Sequence, residues 1–394
     1  DAVFAFLQQV MTASAGPALE IAMRIQQYSG PVMAKGLEDT ALYRFNRLIA
    51  LSDVGAKPDR FTQGVASMHR VMRKRLAEQP HGLLCTSSHD TKRGEDTRAR
   101  IAALSGHADA WAAHVDEWRE QLSAYPIEPN DSYYFFQLLL GAWPTAFPSH
   151  GPLAAAQLGA FRERIAGAML KSIREARLRT NWIVPQEEYE AQVRAYVEAA
   201  LSERDDNAFL VSFRAFERRV AADGAQNGLI ETVLKLTTPG VPDVYQGAEL
   251  WEQSTVDPDN RRSVDYALRR EMLARVGDPG RADDIPSGMS KLALIARLLA
   301  FRAQHPALFA KGGYEPVEVS GPDADRVFAF RRHCEGEPTL LVAVALWPWR
   351  GAVEAQLEGI DATTGWVDVL SGRLVSDPER IMASGKNVVV LATT

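Results

Sequence analysis

A short apolar run, Leu83-Leu84, stops abruptly in Cys85, Thr86, Ser87 and Ser88, passes through His89-Asp90, and enters the charged stretch Thr91–Arg100. No other feature restricts the fold as much. In a β/α architecture such a run is a strand that carries polar side chains to its C-terminal edge, where barrel enzymes assemble their active sites. A solvated loop needs no apolar strand aimed at it, so the pattern points to chemistry. Thr62–Gln79 has helical periodicity and feeds the strand expected at Leu83–Thr86. Upstream, residues 1–29 read as one amphipathic helix closed by Ser29-Gly30. Pro31 is expected to stop it, leaving a short buried strand at Pro31–Lys35 and a helix or helical loop over Glu38–Ala50. Strand, helix and strand at this spacing are the signature of a parallel sheet.

From Glu95 to Arg218 the chain turns Ala-, Arg- and Glu-rich, with helical spacing and few β-branched runs. Ala154–Arg179 is the clearest helix: Leu158, Phe161, Ile165, Met169 and Ile173 form one stripe. A barrel connection does not need so long a segment, so it reads as an inserted helical subdomain. Gln226–Leu236 is again helical, and Gly240–Tyr245 is the next expected buried strand. A loop at Gly277–Ser287 precedes a helix over Lys291–Gln304, ended by His305-Pro306. Beyond it, Pro316–Val319, Arg326–Arg331, Thr339–Leu346, Gly365–Leu370 and Asn387–Leu391 are short strands at regular spacing, the pattern of a small antiparallel sandwich. The expected fold class is α/β, a partial (β/α)8 TIM barrel with an all-helical insertion and a C-terminal antiparallel β-sandwich. The expected units are a partial barrel over 1–94, the helical subdomain over 95–225, a final barrel strand with helices over 226–305, and the sandwich over 306–394.

The 394 residues carry a formal net charge of −6, which disfavours nucleic acid as a partner. The basic run His69–Arg75 reads as the solvated side of a helix. The two cysteines, Cys85 and Cys334, have neither metal-site nor disulfide-framework spacing, consistent with a reducing cytoplasm. No apolar run approaches the length of a membrane span. Because the chain opens on Asp1 with an apolar helical pattern already under way, it is expected to be a fragment.

Ser88-His89-Asp90-Thr91-Lys92-Arg93 with Glu95, Asp96, Arg98 and Arg100 resembles the fourth conserved region of the α-amylase clan, in the form found in maltooligosyltrehalose synthases. Three stretches agree with it in the family's order: Gly30–Arg44, Thr238–Trp251 and Val256–Tyr266. Thr180–Tyr189 is a weaker match. The resemblance to this branch of glycoside hydrolase family 13 runs from about residue 24 to the C-terminus. It implies an isomerase of trehalose biosynthesis, a (1→4)-α-D-glucan 1-α-D-glucosylmutase. Such an enzyme turns the reducing-end α-1,4 bond of a maltooligosaccharide into an α,α-1,1 bond. It implies no metal or redox cofactor.

Retaining glycoside chemistry uses two carboxyl groups about 5–5.5 Å apart, and this clan adds a third that holds sugar hydroxyls. The resemblance gives the third role to Asp90, with His89 beside it. The plain alternative is that Asp90 caps the following helix with Thr91 and Glu95. Lys92, Arg93 and Glu95 are assigned to substrate binding, and Asp96, Arg98 and Arg100 to structural pairing, Asp96 with Arg100. Lys35, Glu38, Asp39 and Tyr43 are expected to shape reducing-end subsites, or else to form a capped loop. Asp257, Asn260, Arg261 and Arg262 read as a subsite wall with internal salt bridges, and Glu249 and Trp251 as glucose contacts. Trp143, Trp182, Trp347 and Trp349 are expected in cores. The clan's nucleophile region, of the form Gly-Phe-Arg-x-Asp, and its acid region are not found; Gly280–Asp284 has the wrong spacing. Two of the three catalytic carboxylates are therefore expected to lie elsewhere and the chain alone to be inactive. It is expected to be held by the N-terminal half of the same enzyme, by self-association, or by its own helical and C-terminal parts. The alternatives are an α-glucan hydrolase of the same clan and a non-catalytic carbohydrate-binding module.

Overall fold

The computed structural model describes residues 2–204, 206–276 and 286–394. Gly280–Asp284 lies outside them. The single helix expected over residues 1–29 is two, α1 (Ala2–Met11) and α2 (Gly16–Met33). Helix α2 runs through Pro31 and widens into a π turn at Ala34–Glu38, so the strand expected at Pro31–Lys35 is absent. A helical proline removes one hydrogen bond to the carbonyl four residues back. Here that residue, Gln27, is exposed, so the loss falls at the surface and not in a core.

Helix α3 (Val65–Glu78) follows, then strand β1 (Leu83–Leu84). β1 pairs in parallel with β2 (Val241–Pro242), Leu83 opposite Val241. The backbone N–H of Val241 donates to the Gly82 carbonyl at 3.0 Å, and that of Asp243 to the Leu84 carbonyl at 2.9 Å. The pairing depends on Gly240: its φ of 127° disfavours other residues, and a Cβ there would meet Leu84 Cγ at 2.6 Å.

Between the two strands lie α4 (Glu95–Ala103), α5 (Ala108–Gln121), α6 (Pro129–Ala142), α7 (Ala155–Ala176), α8 (Glu187–Ala200) and α9 (Ala208–Thr237). The stripe Leu158, Phe161, Ile165, Met169 and Ile173 on α7 is buried, as its spacing requires. It joins Trp118, Phe135, Phe136, Phe209, Phe213 and Phe216 in an aromatic core. The boundary drawn at residue 225 falls inside α9, one unbroken helix. Its first half feeds the aromatic core through Phe213 and Val220, and its second half feeds another core through Ile230, Val233 and Leu236. It crosses α4 closely because Gly224 and Gly228 face it; a Cβ on Gly224 would stand 2.8 Å from Arg100 Cα.

After α10 (Tyr266–Ala274), α11 (Met289–Gln304) and α12 (Pro306–Ala310) comes a six-stranded antiparallel sheet. Its order is β3 (Gly313–Pro316), β5 (Val327–His333), β6 (Leu340–Ala345), β10 (Val388–Thr393), β8 (Trp366–Asp368), β9 (Leu374–Val375). Strand side chains alternate between faces. On β6, Leu340, Val342 and Val344 pack towards α9 and α11, while Leu341, Ala343 and Ala345 face Val317, Val353, Leu357 and Met382. The second face is covered by irregular chain and a two-stranded ladder of β4 (Val319–Ser320) and β7 (Gln356–Leu357). His69 of α3 belongs to this assembly: it is buried, its ring stacks on Phe328, and its Nδ1 lies 2.6 Å from the Tyr314 hydroxyl.

Candidate active site

The polar stretch after β1 forms a loop, residues 85–94, whose two feet are tied to one side chain. Arg98 on α4 donates from Nη2 to the Thr86 carbonyl and from Nη1 to the Arg93 carbonyl, the latter at 2.6 Å. Arg98 in turn pairs with Asp53 at 3.3 Å, and Asp53 Oδ1 accepts the Lys92 backbone N–H at 3.1 Å. Inside the loop, the Thr91 hydroxyl donates to the Ser88 carbonyl at 2.8 Å and the Asp90 N–H donates to Ser88 Oγ at 3.2 Å. Asn260 closes it from the other side, donating from Nδ2 to the His89 carbonyl at 2.9 Å. The backbone is therefore held at its feet and near its tip, while the tip side chains point outward. His89 and Asp90 are 72% and 74% exposed, with His89 Nε2 3.9 Å from Asp90 Oδ2. Asp90 does not cap α4, whose N-cap is Gly94; a Cβ at Gly94 would collide with Glu252.

The charged residues after Asp90 divide. Lys92 is buried with its Nζ 2.6 Å from Asp39 Oδ1 and its ammonium 5.6 Å from the Tyr43 ring centre. Asp39 also accepts from the exposed Lys35. Burial would raise the Asp39 carboxyl, but the two ammonium groups hold it below its ordinary value. The bond to Asp39 raises Lys35, and the charges of Asp39, Glu175 and Asp90 add to it. Glu38 accepts the Gly55 N–H at 3.1 Å, and Tyr43 is buried. Lys35, Asp39 and Lys92 thus form one ionic chain beside Asp90.

Arg93 and Glu95, expected to touch substrate, turn inward instead. Arg93 is fully buried and donates to the carbonyls of Ile49 and Ser52 at 3.1 and 2.7 Å. Glu95 lies beneath the strand end, where Oε1 meets Lys291 at 2.6 Å and Oε2 meets Lys235 at 3.1 Å and Thr86 Oγ1. Lys291 is fully buried and also bonds Asp96 Oδ2 at 2.6 Å. Burial favours the neutral form of Glu95, but the two lysines overcome it and hold the carboxyl down to about 2. Asp96 goes the other way: burial first, then the Glu95 charge, pushes it up to about 6 against Lys291 and the Glu252 N–H. The expected Asp96–Arg100 pair is absent, since Arg100 binds Glu217 at 3.2 Å.

The loop after β2 supplies a further wall. Asp259 takes a bidentate pair from Arg164 at 2.8 and 2.9 Å and the Thr255 N–H at 2.8 Å. Burial opposes its ionisation, yet Arg164 and Arg262 keep it below the ordinary carboxylate value. Asp257 carries Arg261 and Lys171, whose Nζ donates to its carbonyl at 2.6 Å. Arg261 and Arg262 are half exposed. Glu249 pairs with Arg269 at 3.1 Å, and the Trp251 ring lies 5.7 Å from the Lys291 ammonium. The structure thus gathers Asp90, His89, Lys35, Asp39, Lys92 and Asn260 into one neighbourhood and sends Arg93 and Glu95 into the interior. Trp143 is buried as expected, Trp347 and Trp349 are partly buried, and Trp182 is half exposed instead of core. Among the described residues no His, Cys, Asp and Glu cluster could hold a metal ion, and no single helix is long and apolar enough to cross a membrane.

Asp53, Asn260, Lys235 and Lys291 support the loop through contacts 39 or more residues apart in sequence, and only Asn260 stood out in sequence. The available signal for Lys291 was a lone cation within the largely apolar run Met289–Ala296. A buried lysine requires a buried carboxylate.

No protein-family model matches the chain. A Mycobacterium tuberculosis protein assigned as a maltooligosyl trehalose synthase is 36% identical over 370 residues, 92% of this chain and 44% of that protein. The chain therefore spans less than half the length of this curated relative. Among solved structures, maltooligosyltrehalose synthase from Arthrobacter ramosus superposes with a TM-score of 0.82 at 32% identity, covering 100% of this chain and 49% of the other. A hypothetical maltooligosyl trehalose synthase from Sulfolobus tokodaii gives a TM-score of 0.73 at 28% identity, over 94% of this chain and 47% of that one. Sequence and fold together place the chain in the maltooligosyltrehalose synthase family, as the counterpart of its C-terminal half.

Proposed function

We propose that this chain provides the sugar-holding carboxylate, Asp90, and the reducing-end subsites of a (1→4)-α-D-glucan 1-α-D-glucosylmutase. One observation carries the reading: a braced loop at a strand's C-terminal end presents His89 and Asp90 outward, with an ionic wall beside them. In this reading β1 and β2 are two strands of a (β/α)8 barrel, and the C-terminal sheet with its ladder is a sandwich. Support comes from the parallel register of the pair and from apolar side chains exposed on it, Leu83 at 75% and Val241 at 41%. The nucleophile and the acid/base come from the part of the family to which this chain has no counterpart. The exposed apolar side chains of α1 and α2, among them Phe4, Phe6, Tyr28 and Met33, suit docking of that half. Both cysteines are free thiols, which fits action in the cytoplasm.

The proposed chemistry is double displacement. The nucleophile attacks the anomeric carbon while the acid protonates the leaving glucose oxygen. Asp90 accepts hydrogen bonds from hydroxyls of the −1 sugar, and these strengthen as positive charge builds at its anomeric centre. The freed glucose stays bound against Lys35, Asp39 and Lys92, turns, and attacks through its anomeric hydroxyl. The acid/base takes the proton of that hydroxyl, the bond between the nucleophile and the anomeric carbon breaks, and the α,α-1,1 bond forms with the nucleophile released as a carboxylate. The experiment is incubation with maltopentaose, for the chain alone and for the chain joined to the N-terminal half of a relative. Falling reducing ends at constant product mass in the joined protein only, lost in Asp90→Asn, is the expected result. Rising reducing ends with shorter products would instead make the chain part of a hydrolase. Turnover by the chain alone would mean that the missing carboxylates are already present.

A further inference from the structure

Trp182 was expected in a core, yet half of its surface is exposed. It is nonetheless fixed. The Arg174 guanidinium lies 4.9 Å over one face of the indole, and Arg174 is itself held by Glu190 through bonds of 2.8 and 2.5 Å. A cation over one face and a carboxylate behind the cation leave the indole pre-oriented, so little side-chain freedom is lost when something covers it. Trp182 stands at one side of a trough of about 580 Å³ between α7 and the loop at residues 255–262. That volume is in the range of small-molecule sites. The trough is apolar along its floor, with Gly167, Leu170 and Pro258, and polar at its edges, where Lys171 and Asp257 meet.

Gly167 is the telling residue. It sits inside α7, where glycine costs about 1 kcal/mol relative to alanine. Nothing lies within 4 Å of the position its Cβ would take, so close packing within the chain does not demand it. What the missing side chain leaves is space in the trough. The trough also continues the Asp90 site. Its loop wall is the one whose Asn260 holds the His89 carbonyl, and Glu175, beside Arg174 on α7, shares the charge environment of Lys35 with Asp90.

We propose that this trough binds an α-1,4-glucan chain extending away from Asp90, with one glucose unit stacked on the open face of Trp182. A pyranose presents C–H bonds on its faces and hydroxyls around its rim. It therefore suits an aromatic platform and apolar floor bordered by ammonium and carboxylate groups. The inference rests on the proposed glucan substrate and adds Trp182 and the α7 side of the trough to a wall, Asp257 and Arg262, already read as part of the subsites.

The test is calorimetric titration of the 394-residue chain with maltoheptaose, alongside Trp182→Ala, Trp182→Phe and Gly167→Leu. Trp182→Ala and Gly167→Leu are each expected to weaken binding at least tenfold with unchanged thermal midpoints. Trp182→Phe, which keeps an aromatic face, retains most of the affinity. Cellohexaose, whose β-links present the rings in a different sequence of faces, is expected to bind at least tenfold more weakly. Undiminished binding by both Trp182→Ala and Gly167→Leu overturns the trough and leaves the glucan reading standing. Equal affinity for cellohexaose overturns the α-glucan assignment. Absence of maltoheptaose binding by the parent overturns the trough as well, while the proposed mutase activity is judged separately by turnover.

Discussion

Lys291 is the side chain on which the interior beneath the Asp90 loop depends, and Lys291→Met removes its charge while keeping most of its volume. In the parent its ammonium is fully buried and bonds Glu95 and Asp96 at 2.6 Å each. Removing one partner of a buried ion pair costs about 3–5 kcal/mol. Glu95 keeps Lys235 at 3.1 Å, so most of the loss falls on Asp96, left with the Glu252 N–H at 2.6 Å. The low end of that range, about 3 kcal/mol, is expected at pH 8. The loss should shrink in acid. Asp96 is already raised from 3.8 to about 6, so its contribution to stability is full below pH 3.8 and is lost as the pH rises through 6. Without Lys291 its carboxyl rises further, and at pH 5 it is neutral and costs little to bury. Glu95, lowered to about 2, acts oppositely: its contribution is full above its ordinary 4.5 and fades only towards pH 2, outside this window. Urea unfolding followed by tryptophan fluorescence at pH 5 and pH 8 measures the difference without adding salt. Adding Asp96→Asn to Lys291→Met should recover at least half of the pH 8 loss. A loss equal at both pH values, or below about 1 kcal/mol at pH 8, would refute this account of the cluster.

Asp90→Asn should leave the thermal midpoint unchanged, since the side chain is 74% exposed, while abolishing product formation by the completed enzyme. Asn260→Ala removes the donor to the His89 and Ser88 carbonyls and should cost about 1–2 kcal/mol, with faster amide exchange across residues 88–92. Gly224→Ala drives a methyl to 2.8 Å from Arg100 Cα and should destabilise the α4–α9 crossing by about 1–3 kcal/mol in urea unfolding. Burial, helped by Arg73, lowers His69 to about 4, so its contribution is present above pH 6.5 and is lost as the pH falls towards 4. Amide protection factors in α3, corrected for the intrinsic pH dependence of exchange, should therefore fall between pH 7 and pH 5 in the parent and much less in His69→Gln.

Much of the fold was legible because burial imposes a period. The α7 stripe and the alternation on β5, β6 and β10 both repeat at the spacing of their element, and the structure buries those residues. The strand–loop–helix at Leu83–Arg100 was legible because its change from apolar to polar is sharp. Pro31 misled because a proline stop is a local energetic preference, and an exposed helix can absorb the lost bond. Arg93 and Glu95 misled for a different reason. A charge beside a proposed site reads as a ligand contact, and its burial can be inferred only when its polar partners are known. Those are the carbonyls of Ile49 and Ser52 for Arg93, and Lys235 and Lys291 for Glu95, residues remote along the chain. Trp182 looked like core because large aromatics usually are; its exposure follows from an Asn181 turn, whose Oδ1 accepts the N–H groups of Ile183 and Val184 at 2.9 and 2.8 Å.

One guanidinium, that of Arg98, grips the chain on both sides of the Asp90 tip. Residues 87–92 thereby form a ring closed without a covalent bond, and what the ring carries at its apex is separated from what holds it shut. Loop closure grows only slowly more costly with length, by roughly 0.6 kcal/mol per doubling. A ring of this kind can therefore lengthen or exchange its apical residues while its base stays in register with α4. Descent from a common scaffold could vary the chemistry at that apex without rebuilding the interior, and a designer could graft a different apex onto the same clasp.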